Sequence, residues 1–530
     1  MILFSRHYLC AITRFPQRAR SRIAIAILSS GCVFGSGTML RADENTAPQD
    51  TASKSAQVQT RKMVIHPKNE SKPSLKMRLL PDSREQLDGN AALFYLKAMG
   101  FFEQDTARAQ IREMIKKGAE QEKLAGKEGM DYPPYSYLEL HPRDYPKTEV
   151  RDYLKLLSFQ EPWLREAKRH RHFSMDRNIQ LSDDPLGYLL PEVQSIRELA
   201  RSQSIRCRLA IAENRIEDAI EIIGQQVTMS RHIGMDDFLV SYLVGCAVLG
   251  IAVEDTMLLQ EHAQCPNLYW AFAQLPSPLL DTERCIAVEG QFIYLQIPRL
   301  KEVDTDPKPP AYWTEFVAEF AKRTAEIDEY NDSDASSIVS KVQGEKRVES
   351  IQESIAANLP QAKQYLLNRG LLTKESMEAY PGEQLVFLAM RDYYDMFRDD
   401  YFKWLHVPYH VAIEGMRVTD LQRKSKREGE EFGWFTGISY GLLPNIEAFF
   451  TAVTRTRQRI AVIQAIEAIR MAGAENGGKP IDSLDKAPVP IPNDPFTGKP
   501  FSYQVDGDVA NLSSEFPVHA PVRIELRFAK

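Results

Sequence analysis

From Phe238 to Val253 the chain runs for 16 residues without a charge, and no other stretch constrains the fold as much. A helix that is apolar all round has no face for solvent. It must be enclosed by neighbouring elements or lie in lipid, and a lipid-crossing helix takes about 20 apolar residues. This run falls short, so it is expected to be the middle of a core helix from about Met235 to His262, packed closely by its neighbours at Gly245 and Gly250. Two amphipathic helices precede it. Ile196, Leu199, Ala200, Gln203, Cys207, Ala210 and Ile211 recur at three- and four-residue steps, the signature of a one-sided helix. After Glu213-Asn214-Arg215, a second stripe of Ile216, Ala219, Ile220, Ile223 and Val227 ends near Gly234. Short turns between such helices set them antiparallel.

The run Asn214 to Ile220 resembles the turn and second helix of a tetratricopeptide repeat, without a second copy about 34 residues away. Residues Leu189-Leu190-Pro191-Glu192, the segment Cys265-Pro266-Asn267-Leu268-Tyr269-Trp270-Ala271, Phe402-Lys403-Trp404 and Asp494-Pro495-Phe496 together resemble a family of uncharacterised exported proteins of planctomycete bacteria. That resemblance implies an extracytoplasmic compartment and a helical architecture, and it brings no catalytic residue.

The order of the chain agrees with export. Residues 1–42 hold six arginines and no acidic residue, followed from Ile23 to Leu40 by an uncharged run, as in a secretory signal or an N-terminal anchor. Removing that segment's charge takes the overall −6 to −12 for the rest. A net acidic body argues against general nucleic-acid binding, which works by neutralising phosphates with Lys and Arg. Residues 43–78 are rich in Lys, Ser, Gln and Thr and read as a disordered tether. A helical-hairpin domain is expected over 79–300, an acidic linker with a short helix over 301–345, and a second helical region over 346–450. The last module, 451–530, reads as a long helix, an Asp-Pro-aromatic loop at Asp494–Phe501 and a two- or three-stranded antiparallel sheet. It resembles the globular region of type II secretion pseudopilins but lacks their amino-terminal processing site. The fold class expected is thus mainly α, packed antiparallel hairpins with a small C-terminal α+β module.

Candidate chemistry is sparse. His406, His410 and Glu414 stand at i, i+4 and i+8, which would place two imidazoles and a carboxylate on one helical face, a divalent-metal set. Pro408 interrupts that helix. Gly437-Ile438-Ser439-Tyr440-Gly441 has the spacing of a nucleophile elbow without the βαβ context that the motif requires. His170 and His172, within a basic run from Lys168, read as part of a solvated face. Cys265 and Cys285 bracket the Tyr269-Trp270 helix and form the better disulfide candidate among four cysteines after residue 42. P-loop, dinucleotide, calcium-loop and zinc-cysteine patterns are missing from the sequence, and no cofactor is expected. The reading is a non-catalytic binding or scaffold protein of the cell envelope. Its partners would be other envelope proteins, with no nucleic acid and with membrane contact only through the N-terminal segment. The alternative is an extracytoplasmic metal-dependent hydrolase built on His406, His410 and Glu414.

Overall fold

The computed structural model describes residues 60–529 apart from 101–103, 126–131, 180–181, 183–184, 186–187, 189, 331–344, 429–442 and 515–521. The expected signal segment at 1–42 lies outside the described residues, as does the Gly437–Gly441 motif. The elements in chain order begin with β1 (Arg61–Ile65), β2 (Leu87–Asn90), α1 (Ala92–Met99), α2 (Gln104–Leu124), α3 (Lys147–Leu156), α4 (Gln160–Arg169), β3 (His170–His172), α5 (Pro191–Ala212), α6 (Ile216–Ile233), α7 (Leu239–Gln260) and α8 (Tyr269–Ala273). They continue with α9 (Glu283–Glu289), α10 (Phe292–Gln296), α11 (Pro310–Tyr330), α12 (Glu345–Asn368), α13 (Lys374–Met377), α14 (Gly382–Phe402), α15 (Tyr409–Glu428), α16 (Ile446–Glu475), β4 (Ser502–Asp506), β5 (Val509–Ser513) and β6 (Arg523–Phe528).

These elements sort into two compact units that do not follow chain order. One gathers the described residues of 176–189 and 285–450; the other gathers those of 60–175, 190–284 and 451–529. The linear partition expected from the sequence is therefore corrected. Its C-terminal module joins the α5–α8 helices in one unit, and its acidic linker is not a linker. Within residues 301–345, α11 buries Trp313, Phe316, Val317 and Phe320, all at 1% exposure or less. Those positions recur at three- and four-residue steps, so one face of the helix is fully apolar. The rings of Phe316 and Phe320 pack 4.6 and 4.9 Å from Phe387 of α14. The aspartates that suggested a linker lie at the flanks of this segment.

In the same unit, α14 buries Tyr393, Tyr394, Phe397, Tyr401 and Phe402, so these five rings are core packing. Gly370, at φ 68°, closes α12, and Thr373 with Ser376 forms a capping box on α13.

In the other unit α5, α6 and α7 pack on one another. Pro191 opens α5 at its first turn. Asn214, at φ 61°, ends that helix, and the Arg215 N–H reaches back to the Ala210 carbonyl, which turns the chain into α6. The apolar run is the central helix α7, and its most hydropathic window is 72% buried inside the protein. A Cβ on Gly245 would meet the Ser230 carbonyl at 2.9 Å, and one on Gly250 would meet the Arg459 guanidinium at 2.5 Å. Both glycines therefore serve close approach. Tyr137, Tyr145 and Tyr153 cluster with Ile205 and Leu209 of α5.

The tail is a four-stranded mixed sheet in the order β1-β6-β5-β4, with β1 parallel to β6 and the other pairs antiparallel. Two expectations are corrected here. The sheet has a fourth strand, and that strand comes from the segment read as a tether. Averaged over 43–78 the composition is polar, but Met63-Val64-Ile65 is a short apolar run that a sheet edge can take up. Met63 and Ile65 pair with Leu526 and Phe528, and all four are 4% exposed or less. Burying each of the first two is worth roughly 1.5–3 kcal/mol. The sheet's apolar face is covered by α16, whose Gly473 leaves room for the Phe528 ring; a Cβ there would stand 2.4 Å from it. Phe501 is buried, whereas Val505 at the far end of β4 is 37% exposed.

Candidate functional site

The sequence-predicted metal set does not assemble. The 3-10 turn Lys403–His406 ends before Pro408, and α15 starts at Tyr409. His406 is thus on one element and His410 and Glu414 on the next, all three exposed to solvent. Among the described residues no group of three or more His, Cys, Asp or Glu side chains could hold a metal ion.

Cys265 and Cys285 are both buried thiols, and no disulfide joins them. Burial pushes the Cys265 thiol up to about 12, and its sulfur is already engaged, donating to the Pro266 carbonyl and accepting from Arg470.

The run Lys168–His172 is not one solvated helical face. Helix α4 stops at Arg169, and residues 170–172 pair in parallel with β2. Lys168 is buried and bonds Glu221 at 2.7 Å. The His170 ring stacks on Phe94 at 4.4 Å. Behind it His232 lies in the core between the Tyr95 hydroxyl and the His170 carbonyl, each 2.9 Å from a ring nitrogen. Burial pushes His232 down to about 3, helped by the nearby Arg231, so the ring is neutral.

Two buried ionic networks hold this unit together. Asp255 in the C-terminal part of α7 is fully enclosed. One of its oxygens accepts from Ser204 at 2.8 Å and from Arg208 at 3.1 Å, and the other accepts from Gln226 at 2.8 Å. The Arg208 guanidinium reaches on to the Leu138 and Leu140 carbonyls. These contacts tie α5, α6, α7 and the segment at Leu138 and Leu140 together.

The second network centres on Arg470 in α16, at 0% exposure beside Glu467, also 0%. Its Nη1 donates to both Glu467 oxygens at 2.8 and 2.9 Å, its Nε to the His66 carbonyl at 3.0 Å and its Nη2 to the Cys265 carbonyl at 2.9 Å. Gln260 at the end of α7 donates to Glu467 at 2.7 Å. A buried pair of this kind is tolerable only when the remaining donors and acceptors are also satisfied. Here one arginine joins the strand-β1 segment, the α7–α8 loop and α16.

One cation stands apart from these closed networks. Arg231, in the last turn of α6, lines a cleft of about 290 Å³ together with the loop 78–82, Gln86 and the segment 271–276. The guanidinium is half buried, and among the described residues it makes no hydrogen bond or ion pair. Burial and the nearby Arg171 both lower its pKa. The one carboxylate on the cleft wall, Asp82, is committed elsewhere. It accepts from the Arg84 N–H at 3.0 Å and from Arg78 at 2.5 Å, and these bonds hold it well below the usual carboxylate range.

Gly224 brings the loop onto α6: its Cα lies so near the loop that a Cβ would meet the Leu79 carbonyl at 2.6 Å. Sequence reasoning missed Arg231. The available signal was its place four residues after Val227, where a cation continues the apolar stripe of α6. No family model matches the chain, and neither curated proteins nor solved structures give a match.

Proposed function

We propose that the protein acts outside the cytoplasm as a non-catalytic binding or scaffold component of the cell envelope. In this reading its helical hairpins offer a rigid, helical-repeat-like surface to other envelope proteins, and the helix-and-sheet tail is pseudopilin-like in its globular part only. The observation that carries the reading is how the enclosed charges are spent. The Arg208–Asp255 and Arg470–Glu467 pairs bond to one another, to neighbouring side chains and to backbone carbonyls between distant segments. Charges so engaged fix a frame and are not themselves poised as acid, base or nucleophile. The hydrolase alternative is disfavoured by the separation of His406 from His410 and Glu414 at Pro408.

The test is fractionation of the native cell, followed by cross-linking and capture from the envelope fraction. The expected result is mature protein outside the cytoplasm with a reproducible envelope partner. Full-length protein confined to the cytosol would overturn it. So would near-stoichiometric metal in chelator-free protein that is lost on His410→Ala.

A further inference from the structure

We propose that the cleft at Arg231 binds a small monocarboxylate that carries a short apolar group. This is a small-ligand site, independent of whether the surface also serves as a scaffold. The inference starts from an imbalance. A half-buried guanidinium on the wall of an open cleft is free to take up a counter-charge, whereas the buried Arg208 and Arg470 have their donors spent inside the protein. Arg231 has no such partner among the described residues, and Arg171 adds repulsion. The negative end of the α6 dipole at this last turn eases the cost of the charge but does not fill the donor sites of the fork, nor account for an open cleft beside it.

The wall chemistry narrows the ligand. Arg231 supplies one unspent charge, while Arg78 and Asp82 on the same wall offset each other, so a monoanion matches the wall better than a phosphate dianion. The planar fork of arginine matches a carboxylate two bonds at a time. The rest of the lining is mixed, with Leu79, Pro81 and Leu275 offering apolar surface beside the polar Arg78 and Gln86. At about 290 Å³ the space is at the small end of ligand sites, enough for a carboxylate with a body of a few carbons. The Gln274 side-chain amide donates to the Trp270 and Met77 carbonyls at 2.9 and 3.4 Å, which leaves the charge of Arg231 to dominate.

The experiment is calorimetric titration of the full chain with hexanoate, hexanamide and hexyl phosphate. It uses wild type, Arg231→Gln and Arg231→Lys, each checked for an unchanged melting curve. Saturable hexanoate binding is expected in wild type, at least about tenfold weaker for hexanamide and for Arg231→Gln, since a charge-assisted bidentate contact is worth upward of about 1.4 kcal/mol. Arg231→Lys, which keeps the charge but loses the fork, should fall between. It also serves as the variant of record if Arg231→Gln melts early. Hexanoate binding equally well to wild type and to a folded Arg231 variant would overturn the proposal, as would equal binding of hexanamide or the absence of saturable binding in wild type. Tighter binding of hexyl phosphate than of hexanoate would overturn the assignment to a carboxylate.

Discussion

Replacing Arg470 by methionine tests whether the buried pair in α16 is what joins three distant segments of the chain. The substitution keeps a long apolar stem and removes the donors to Glu467, the His66 carbonyl and the Cys265 carbonyl. Stranding one partner of a buried ion pair costs about 3–5 kcal/mol. Gln260 still donates to Glu467, which favours the lower half of that range. Each orphaned carbonyl adds up to about 1 kcal/mol, less where the loop relaxes toward water. The expected loss is therefore about 4 kcal/mol, read as a lower urea midpoint by circular dichroism at unchanged slope. The double variant Glu467→Gln with Arg470→Met has no stranded charge and should recover at least about 1 kcal/mol relative to additivity. A single variant within about 1 kcal/mol of wild type, or strictly additive effects in the double variant, would refute this account of the network.

Three further outcomes follow from the same structure. His232 is held neutral well below its ordinary value, so the unfolded chain binds a proton that the folded chain refuses. Stability from this group is complete above pH 6.5 and falls as pH drops toward 3, by roughly 1 kcal/mol per unit. His232→Gln should flatten the pH dependence of the urea midpoint between pH 6.5 and 5, and an unchanged slope would count against a buried neutral ring. Gly224→Ala should destabilise by about 1–3 kcal/mol despite alanine's better helix propensity, because its methyl meets the Leu79 backbone; a more stable variant would show that the loop is not seated on α6. Burial raises the thiols of Cys246 and Cys265 to about 11 and 12, so neither should react with a thiol reagent at pH 8 until the protein unfolds, and non-reducing peptide mapping should find no Cys265–Cys285 bridge.

Periodicity carried the helical part of this fold. The stripes of α5 and α6, the all-apolar α7 and the turn at Asn214 were legible because each depends on residues close in sequence. What escaped depends on distant residues. The strand at Arg61–Ile65 has five residues and no periodic context, and it becomes a strand only because β6 offers an edge. The α11 stripe was hidden by flanking aspartates and prolines, which report on the ends of a helix and not on its face. For the site, Pro408 correctly signalled the break in the His406–Glu414 array, but spacing alone could not show that Arg231 would line a cleft with no hydrogen bond or ion pair among the described residues. Asp255 and Arg470 were not singled out in the sequence, because only the fold supplies each with its partners across the core.

The claim on which the rest depends is that residues 61–65, the C-terminal strands and α16 form one cooperative unit. Hydrogen exchange resolved to single amides tests it directly. The account predicts that amides across Arg61–Ile65 are protected and open together with those of Arg523–Phe528 and the second half of α16, and that Arg470→Met speeds exchange in all three at once. Rapid, unprotected exchange at 61–65 while β6 remains protected would contradict it, returning that segment to a tether and leaving the sheet to close without it.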